Sequence, residues 1–160
     1  MPILGTRSTI EMTHSTSQRS SRPARLAQKR PATSRLPPVT ICVLVYGDHA
    51  DLARRVLSSI ARHVRRENYL LVVGANAISP KTRKLLRDHQ SRGAIDRLLE
   101  SRDNLNKCPM MRRMFRNIRT EFIWWFDDDS YITEPTAFAR WLRHARTAPP
   151  TTVMWGPLAE

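Results

Sequence analysis

The chain has 160 residues, enough for one domain with a tail. Its 27 Lys and Arg against 14 Asp and Glu give a net charge of +13 and a pI near 11.2, which points to an anionic partner such as nucleic acid, a membrane surface or a phosphorylated substrate. An apolar share of 41% supports a core, two cysteines exclude a disulfide framework, and no stretch approaches the roughly 18 to 20 apolar residues of a membrane span or forms a signal-peptide core.

The basic excess is unevenly placed. Residues 1–38 hold seven basic residues and only Glu11, so they carry +6 of the total, together with five of the eleven prolines. With many Ser and Thr and no periodic apolar pattern, such a segment buries too little surface to offset its ordering entropy. It reads as a disordered tail without a specific role. A transit peptide, a nucleic-acid-binding arm and an over-extended reading frame are the other readings of this segment.

At Val39 the pattern changes. "VTICVLVY" (39–46) is a continuous apolar, β-branched run, as expected of a strand buried on both faces. "GDHAD" ends it, and Asp48 or Asp51 is placed to cap the next element. Leu52, Val56, Leu57 and Ile60 then recur at helical spacing, with Arg54 and Arg55 on the opposite side. "YLLVV" (69–73) predicts a second strand closed by Gly74. Ser79-Pro80 is a helix start that runs to about Arg92.

"IDRLLE" (95–100) is a third strand. Cys108-Pro109 opens a helix whose apolar face is Met110, Met111, Met114, Phe115 and Ile118, a core stripe in which methionines fill irregular space. Cys42 and Cys108 read as a buried and a cap-adjacent thiol. "FIWWF" (122–126) is the fourth strand, Glu134-Pro135 begins a last helix with Phe138, Trp141 and Leu142 inward, and "TVMWG" (152–156) starts one more strand. This alternation of strand and helix predicts an α/β fold: a mostly parallel sheet with helices on both faces.

In such sheets ligands bind at the carboxyl ends of strands, near a switch in strand order. "DDD" (127–129) follows the fourth strand directly. Along an extended segment side chains alternate, which turns Asp127 and Asp129 one way and Asp128 the other. Two converging carboxylates repel unless a cation intervenes, and hard oxygen donors suit Mn²⁺ or Mg²⁺. Such an ion completes its shell with water and substrate phosphates, which implies a phosphorylated substrate, most simply a nucleotide diphosphate. The alternative is a capped turn whose acids favour a helix dipole. Upstream, "NLNKCPMMRR" (104–113) sets Lys107 at a helix start, a ready phosphate site. Arg112 and Arg113 read as a solvated basic face.

Three segments in this order resemble family 2 glycosyltransferases with the GT-A fold. They are "VTICVLVYGDHADLARRVLSSI", "SRDNLNK" and "TEFIWWFDDDSYI", which look like that family's first strand and helix, its asparagine-containing loop and its strand ending in D-x-D. The resemblance implies a three-layer GT-A-like domain over residues 39–160, incomplete at the C-terminus, behind the tail of residues 1–38. It implies that Asp127 and Asp129 are the outer D-x-D carboxylates and metal ligands. Asp129 would hold the ion on the diphosphate, and Asp127 would lie toward the ribose or a metal-bound water. Tyr46 and Asp48 would line the nucleoside pocket with Asn104 and Lys107 beside it, and the first strand would neighbour the fourth.

The expected activity is metal-assisted transfer of a sugar from a UDP- or GDP-linked donor to an unidentified acceptor, in the cytoplasm or peripherally at a membrane. Three positions depart from the family's pattern. "GANAIS" stands where an acidic pair is common after the second strand, Asn106 stands for a glycine in the asparagine loop, and Thr120 stands for another before the fourth strand. After the triplet the only acids are Glu134 and Glu160, neither placed as a general base, so the base is expected beyond residue 160.

A truncated paralogue that binds a nucleotide sugar without transferring it is one alternative, and a basic nucleic-acid-binding protein is another. The second lacks a base-stacking surface, because Phe122, Trp124, Trp125 and Phe126 fall in a strand expected to be buried. A phosphatase of the haloacid dehalogenase type also uses D-x-D, but residues 130–160 contain no Asp or Lys for its later steps. The five histidines show no metal-ligand spacing.

Overall fold

A computed structural model describes residues 36–152. The chain runs β1 (Val39–Tyr46), α1 (Ala50–His63), β2 (Tyr69–Asn76), α2 (Pro80–Ser91), β3 (Arg97–Ser101), α3 (Lys107–Phe115), β4 (Phe122–Asp127) and α4 (Ala137–Thr147). All three strand pairings are parallel and the sheet order is β3-β2-β1-β4. The chain steps outward from β1 to β3 and then returns to the other side of β1. The strand order therefore switches between β1 and β4, and the carboxyl ends there are Tyr46 and Asp127.

The period of two along β1 divides the core. Val39, Ile41, Val43 and Val45 pack with Ala53, Val56, Leu57 and Ile60 of α1, Leu86 of α2 and Phe138 of α4. Cys42 and Leu44 turn the other way, with Val72, onto Met110 and Met114 of α3. Helices thus cover both faces, α1, α2 and α4 on one and α3 on the other, which makes the fold α/β with three layers. Burial pushes the Cys42 thiol up to about 12, against the lowering field of Arg97, so it behaves as a small core hydrophobe. Cys108 is exposed on the first turn of α3.

The structure corrects several boundaries. β2 does not close at Gly74 but continues to Asn76, because the glycine's bare face is where α3 comes nearest. A Cβ there would lie 2.4 Å from Met114 Sδ. β3 begins at Arg97, and Ile95 is buried ahead of it. Neither Asp48 nor Asp51 caps α1: the cap position is His49 with no side-chain bond, Asp51 pairs with Arg54, and Asp48 serves α2. α3 ends at Phe115, leaving Ile118 in the following turn but still packed on the same cluster.

Arg97 explains where α3 stops. From β3 it donates Nη1 to the Arg116 carbonyl at 2.8 Å and Nη2 to the Met114 carbonyl, which satisfies orphan acceptors at the helix end. α4 starts at Ala137, two residues beyond Pro135. β4 is an edge of the described sheet, and only Phe126 in it is buried, with Ile123 37% exposed. The expected strand at 152–156 and nearly all of the basic tail lie outside the described residues. Among the described residues no helix is long and apolar enough to cross a membrane.

Candidate functional site

β4 stays extended only to Asp127. The chain then turns, with Ser130 N donating to the Asp127 carbonyl at 3.1 Å, so strand alternation does not set the directions of Asp128 and Asp129. Asp127 itself follows the alternation. It is in register with Leu44, on the face covered by α3, and Lys107 is the first residue of that helix. Lys107 Nζ lies 2.7 Å from Asp127 Oδ2, and its ammonium is 5.9 Å from the centroid of the Trp125 ring. Trp125 Nε1 donates to Asp127 Oδ1 at 3.3 Å. Both oxygens of Asp127 are therefore engaged.

Asp128 ties the end of β4 to the end of β1: its Oδ2 accepts from Tyr46 N at 3.2 Å. The Tyr46 ring is 47% exposed at the same edge. Asp129 is exposed, with the Ser130 hydroxyl 3.4 Å from its Oδ1. Gly47, at φ +62°, makes the turn that leads off β1. Beyond that turn Asp48 Oδ1 accepts from Ser79 Oγ at 2.6 Å, while Ser79 Oγ accepts from Thr82 N and caps α2. The 47–48 turn is thus fastened to the start of α2, and Ser79 N adds a bond to the Gly47 carbonyl.

Asn104 is held from the neighbouring strand end. Asn76, 2% exposed at the end of β2, donates Nδ2 to Asn104 Oδ1 at 3.0 Å and accepts from Leu105 N at 2.9 Å. Asn104 Oδ1 also accepts from Asn106 N at 2.8 Å, a local turn that Asn side chains favour. Three groupings result. Tyr46, Asp127, Asp128 and Lys107 meet at the β1–β4 switch, Asn104 joins Asn76 at the β2 end, and Asp48 joins Ser79. The sequence reading missed Asn76 and Asp128. A polar residue ending an apolar strand was the available signal for Asn76.

No protein-family model matches the chain, and no curated protein does. Among solved structures, the mannosyltransferase PcManGT from Pyrobaculum calidifontis, in complex with GDP-Man and Mn²⁺, matches with a TM-score of 0.61 at 21% identity. The match covers 78% of this chain and 36% of that one. S. aureus TarS 1–349 in complex with UDP matches with a TM-score of 0.56 at 14% identity, over 68% of this chain and 32% of that one. The fold is GT-A-like. The chain spans about a third of the length of these two structures.

A GT-A-like fold raises the question of a divalent ion. Among the described residues no three His, Cys, Asp or Glu side chains are grouped to hold one. A Mg²⁺-type ion is usually bound by one or two carboxylates, with water and substrate phosphates supplying the rest. Asp129, exposed at the carboxyl edge, suits that role. Asp127 is already neutralised by Lys107, so it would join a metal shell only after that pair opens. Of the two carboxylates, Asp129 is the one left open to a hard cation.

Asn106 and Thr120 occupy the two positions where the resembled family carries glycine, and they differ in kind. Thr120 uses its hydroxyl, 2.7 Å from Thr40 Oγ1 and donating to the Phe122 carbonyl at 3.0 Å. Asn106 stands at φ 63°, ψ 172°, a region that residues with a Cβ seldom adopt, at the cap of α3 beside Lys107. Its side chain makes no capping bond. Asn106→Gly is expected to raise stability by about 1 kcal/mol in chemical denaturation, because strain of this kind costs on the order of 1–3 kcal/mol and glycine's larger unfolded entropy returns part of that. A loss of stability on substitution would show that the Asn side chain contributes more than its backbone conformation costs.

Proposed function

We propose that this chain is the nucleotide-binding part of a hexosyltransferase-type glycosyltransferase of family 2, taking a sugar from a UDP- or GDP-linked donor with a divalent ion held at D-x-D. The observation that carries the reading is the position of the acidic turn. It lies at the carboxyl ends of two adjacent strands where strand order switches, next to a helix start bearing a cation. The fold likeness to structures solved with GDP-Man and Mn²⁺ and with UDP supports it.

In this reading Tyr46 offers its exposed ring to the nucleoside, and Asp48, fixed by Ser79, offers its carboxylate to the same moiety. Asn104 holds the loop that brings Lys107 to the phosphates. Lys107 leaves Asp127 for the more highly charged diphosphate, which frees Asp127 to turn toward the ribose or a bound water. Asp129 is the ligand that would hold Mn²⁺ or Mg²⁺. Such an ion, when bound, neutralises charge on the leaving nucleotide diphosphate. The bond from the anomeric carbon to the diphosphate oxygen breaks, the acceptor oxygen forms the new bond to that carbon, and the acceptor's proton passes to a general base.

Calorimetric titration of UDP and of GDP, with and without Mn²⁺, tests the reading. Binding by one nucleotide should require the metal, and Asp129→Ala should weaken it at least about tenfold, on the order of 1.4 kcal/mol. Absence of binding to either nucleotide at millimolar concentration, in folded protein, would overturn the proposal and leave the triplet as a capped turn.

A further inference from the structure

A cleft of about 500 Å³ opens between α2 and the carboxyl end of β3, lined by Arg83, Arg87, Glu100, Ser101 and Arg102. Its size is within the range of small-ligand sites. Ser101 is in register with Asn76, and its carbonyl accepts from Ala77 N at 3.1 Å. The cleft therefore lies at the same sheet edge as the candidate nucleotide site, but across β2 from the β1–β4 switch. No role described above uses it.

Its charge is unbalanced. Glu100 is the single carboxylate and it is shared. Arg87 binds it with Nε at 2.8 Å and Nη2 at 3.2 Å, and Arg83 reaches it with Nε at 3.1 Å. These bonds, chiefly those from Arg87, hold the Glu100 carboxyl below its usual range and keep it ionised. Arg83 spends one further donor on the Ile78 carbonyl at 3.5 Å. A guanidinium has five N–H donors, so most of those on Arg83 and Arg87 remain open. Arg102 is exposed and makes no ion pair or hydrogen bond among the described residues. Three guanidinium groups against one carboxylate leave an excess of two positive charges along a cleft in which Arg83 and Glu100 are partly buried and Arg87 and Arg102 are exposed.

We propose that this cleft binds a phosphate-monoester group, with Arg83, Arg87 and Arg102 as its donors. The monoester carries about −1.5 to −2 at neutral pH, which matches the excess, and its oxygens suit the planar forks of guanidinium groups. Glu100 preorganises Arg83 and Arg87 and at the same time competes with the ligand for them. It thereby sets the affinity.

The test follows arginine Nε–H and backbone amide resonances of the full chain in EDTA during titration with inorganic phosphate and with methyl phosphate. Saturable shifts are expected at Arg83, Arg87 and Ser101, while the amides of Tyr46 and Asp127 stay still. Arg102→Gln should weaken binding about tenfold, and the surface control Arg62→Gln should leave it unchanged. Glu100→Gln should tighten it several-fold, an outcome that a purely structural ion-pair cluster does not produce. Saturation by methyl phosphate as well as by inorganic phosphate marks a monoester site, and saturation by inorganic phosphate alone would overturn the monoester assignment. Linear, non-saturating shifts, or shifts equal in the Arg102→Gln protein, would overturn the proposal. The metal-free conditions and the separate reporters make the result independent of whether UDP or GDP binds at the β1–β4 switch.

Discussion

Gly74→Ala is expected to lower unfolding free energy by about 2 kcal/mol, within the roughly 1–3 kcal/mol that overpacking a core costs. The added Cβ would meet Met114 Sδ at 2.4 Å, Met114 Cγ at 3.1 Å and Met110 Cγ at 3.3 Å. Met114 and Met110 are both fully buried, so their side chains have no solvent to retreat into. A thioether is flexible, which limits the damage, but the Cγ contacts involve the stiffer base of each side chain. The sheet cannot yield readily either, because β2 is paired on both sides. Met114→Ala alone should cost about 2–5 kcal/mol by leaving a cavity. In the double variant the new methyl occupies part of that cavity, so the two losses should sum to more than the loss measured for the pair. Urea denaturation of the four proteins gives the coupling. Additive losses would mean that α3 moves away from β2 when Gly74 is filled, and that its packing is not set by that contact.

Much of the architecture was legible because it depends on period and punctuation. A β-branched run such as "VTICVLVY" reads as a doubly buried strand, and Ser79-Pro80 carries its own cap and first-turn residue. The strand position of Asp127 was legible for the same reason, and so was its neighbour β1 once the resemblance supplied the strand order. What could not be read was any feature decided by a partner distant in sequence. Gly74 looked like a strand end because glycine usually weakens strands, and only the arrival of α3, about 40 residues later, gives it a packing reason.

The end of α3 has a similar origin. Its apolar stripe continues to Ile118, but Arg97 on another element collects the carbonyls at Met114 and Arg116 and fixes the stop. Asp48 was read as a cap for the helix beginning beside it in sequence. In the fold it reaches Ser79, 31 residues on, because the end of β1 lies beside the start of α2. Alternation also failed at Asp128 and Asp129, where the chain leaves the strand for a turn.

Asn76 shows most clearly how such a distant pairing can matter for function. Asn76→Ala is expected to cost about 1–3 kcal/mol, the penalty for leaving buried polar groups without partners. It removes the donor to Asn104 Oδ1 and the acceptor for Leu105 N together, at a residue 2% exposed. Asn76→Asp separates the two bonds. The carboxylate keeps an acceptor for Leu105 N but faces Asn104 Oδ1 with like polarity, and it is buried with no cation bonded to it. It should therefore destabilise at least as much as alanine, although an acidic pair is common after this strand in the resembled family. Under the proposed function both variants release the loop that carries Lys107, so metal-dependent nucleotide binding should weaken about tenfold even at temperatures where the protein remains folded. Titration beside a thermal melt separates the two effects. An Asn76→Asp protein that melts with the parent and binds nucleotide more tightly would make residue 76 a direct nucleoside contact and not the anchor of the loop.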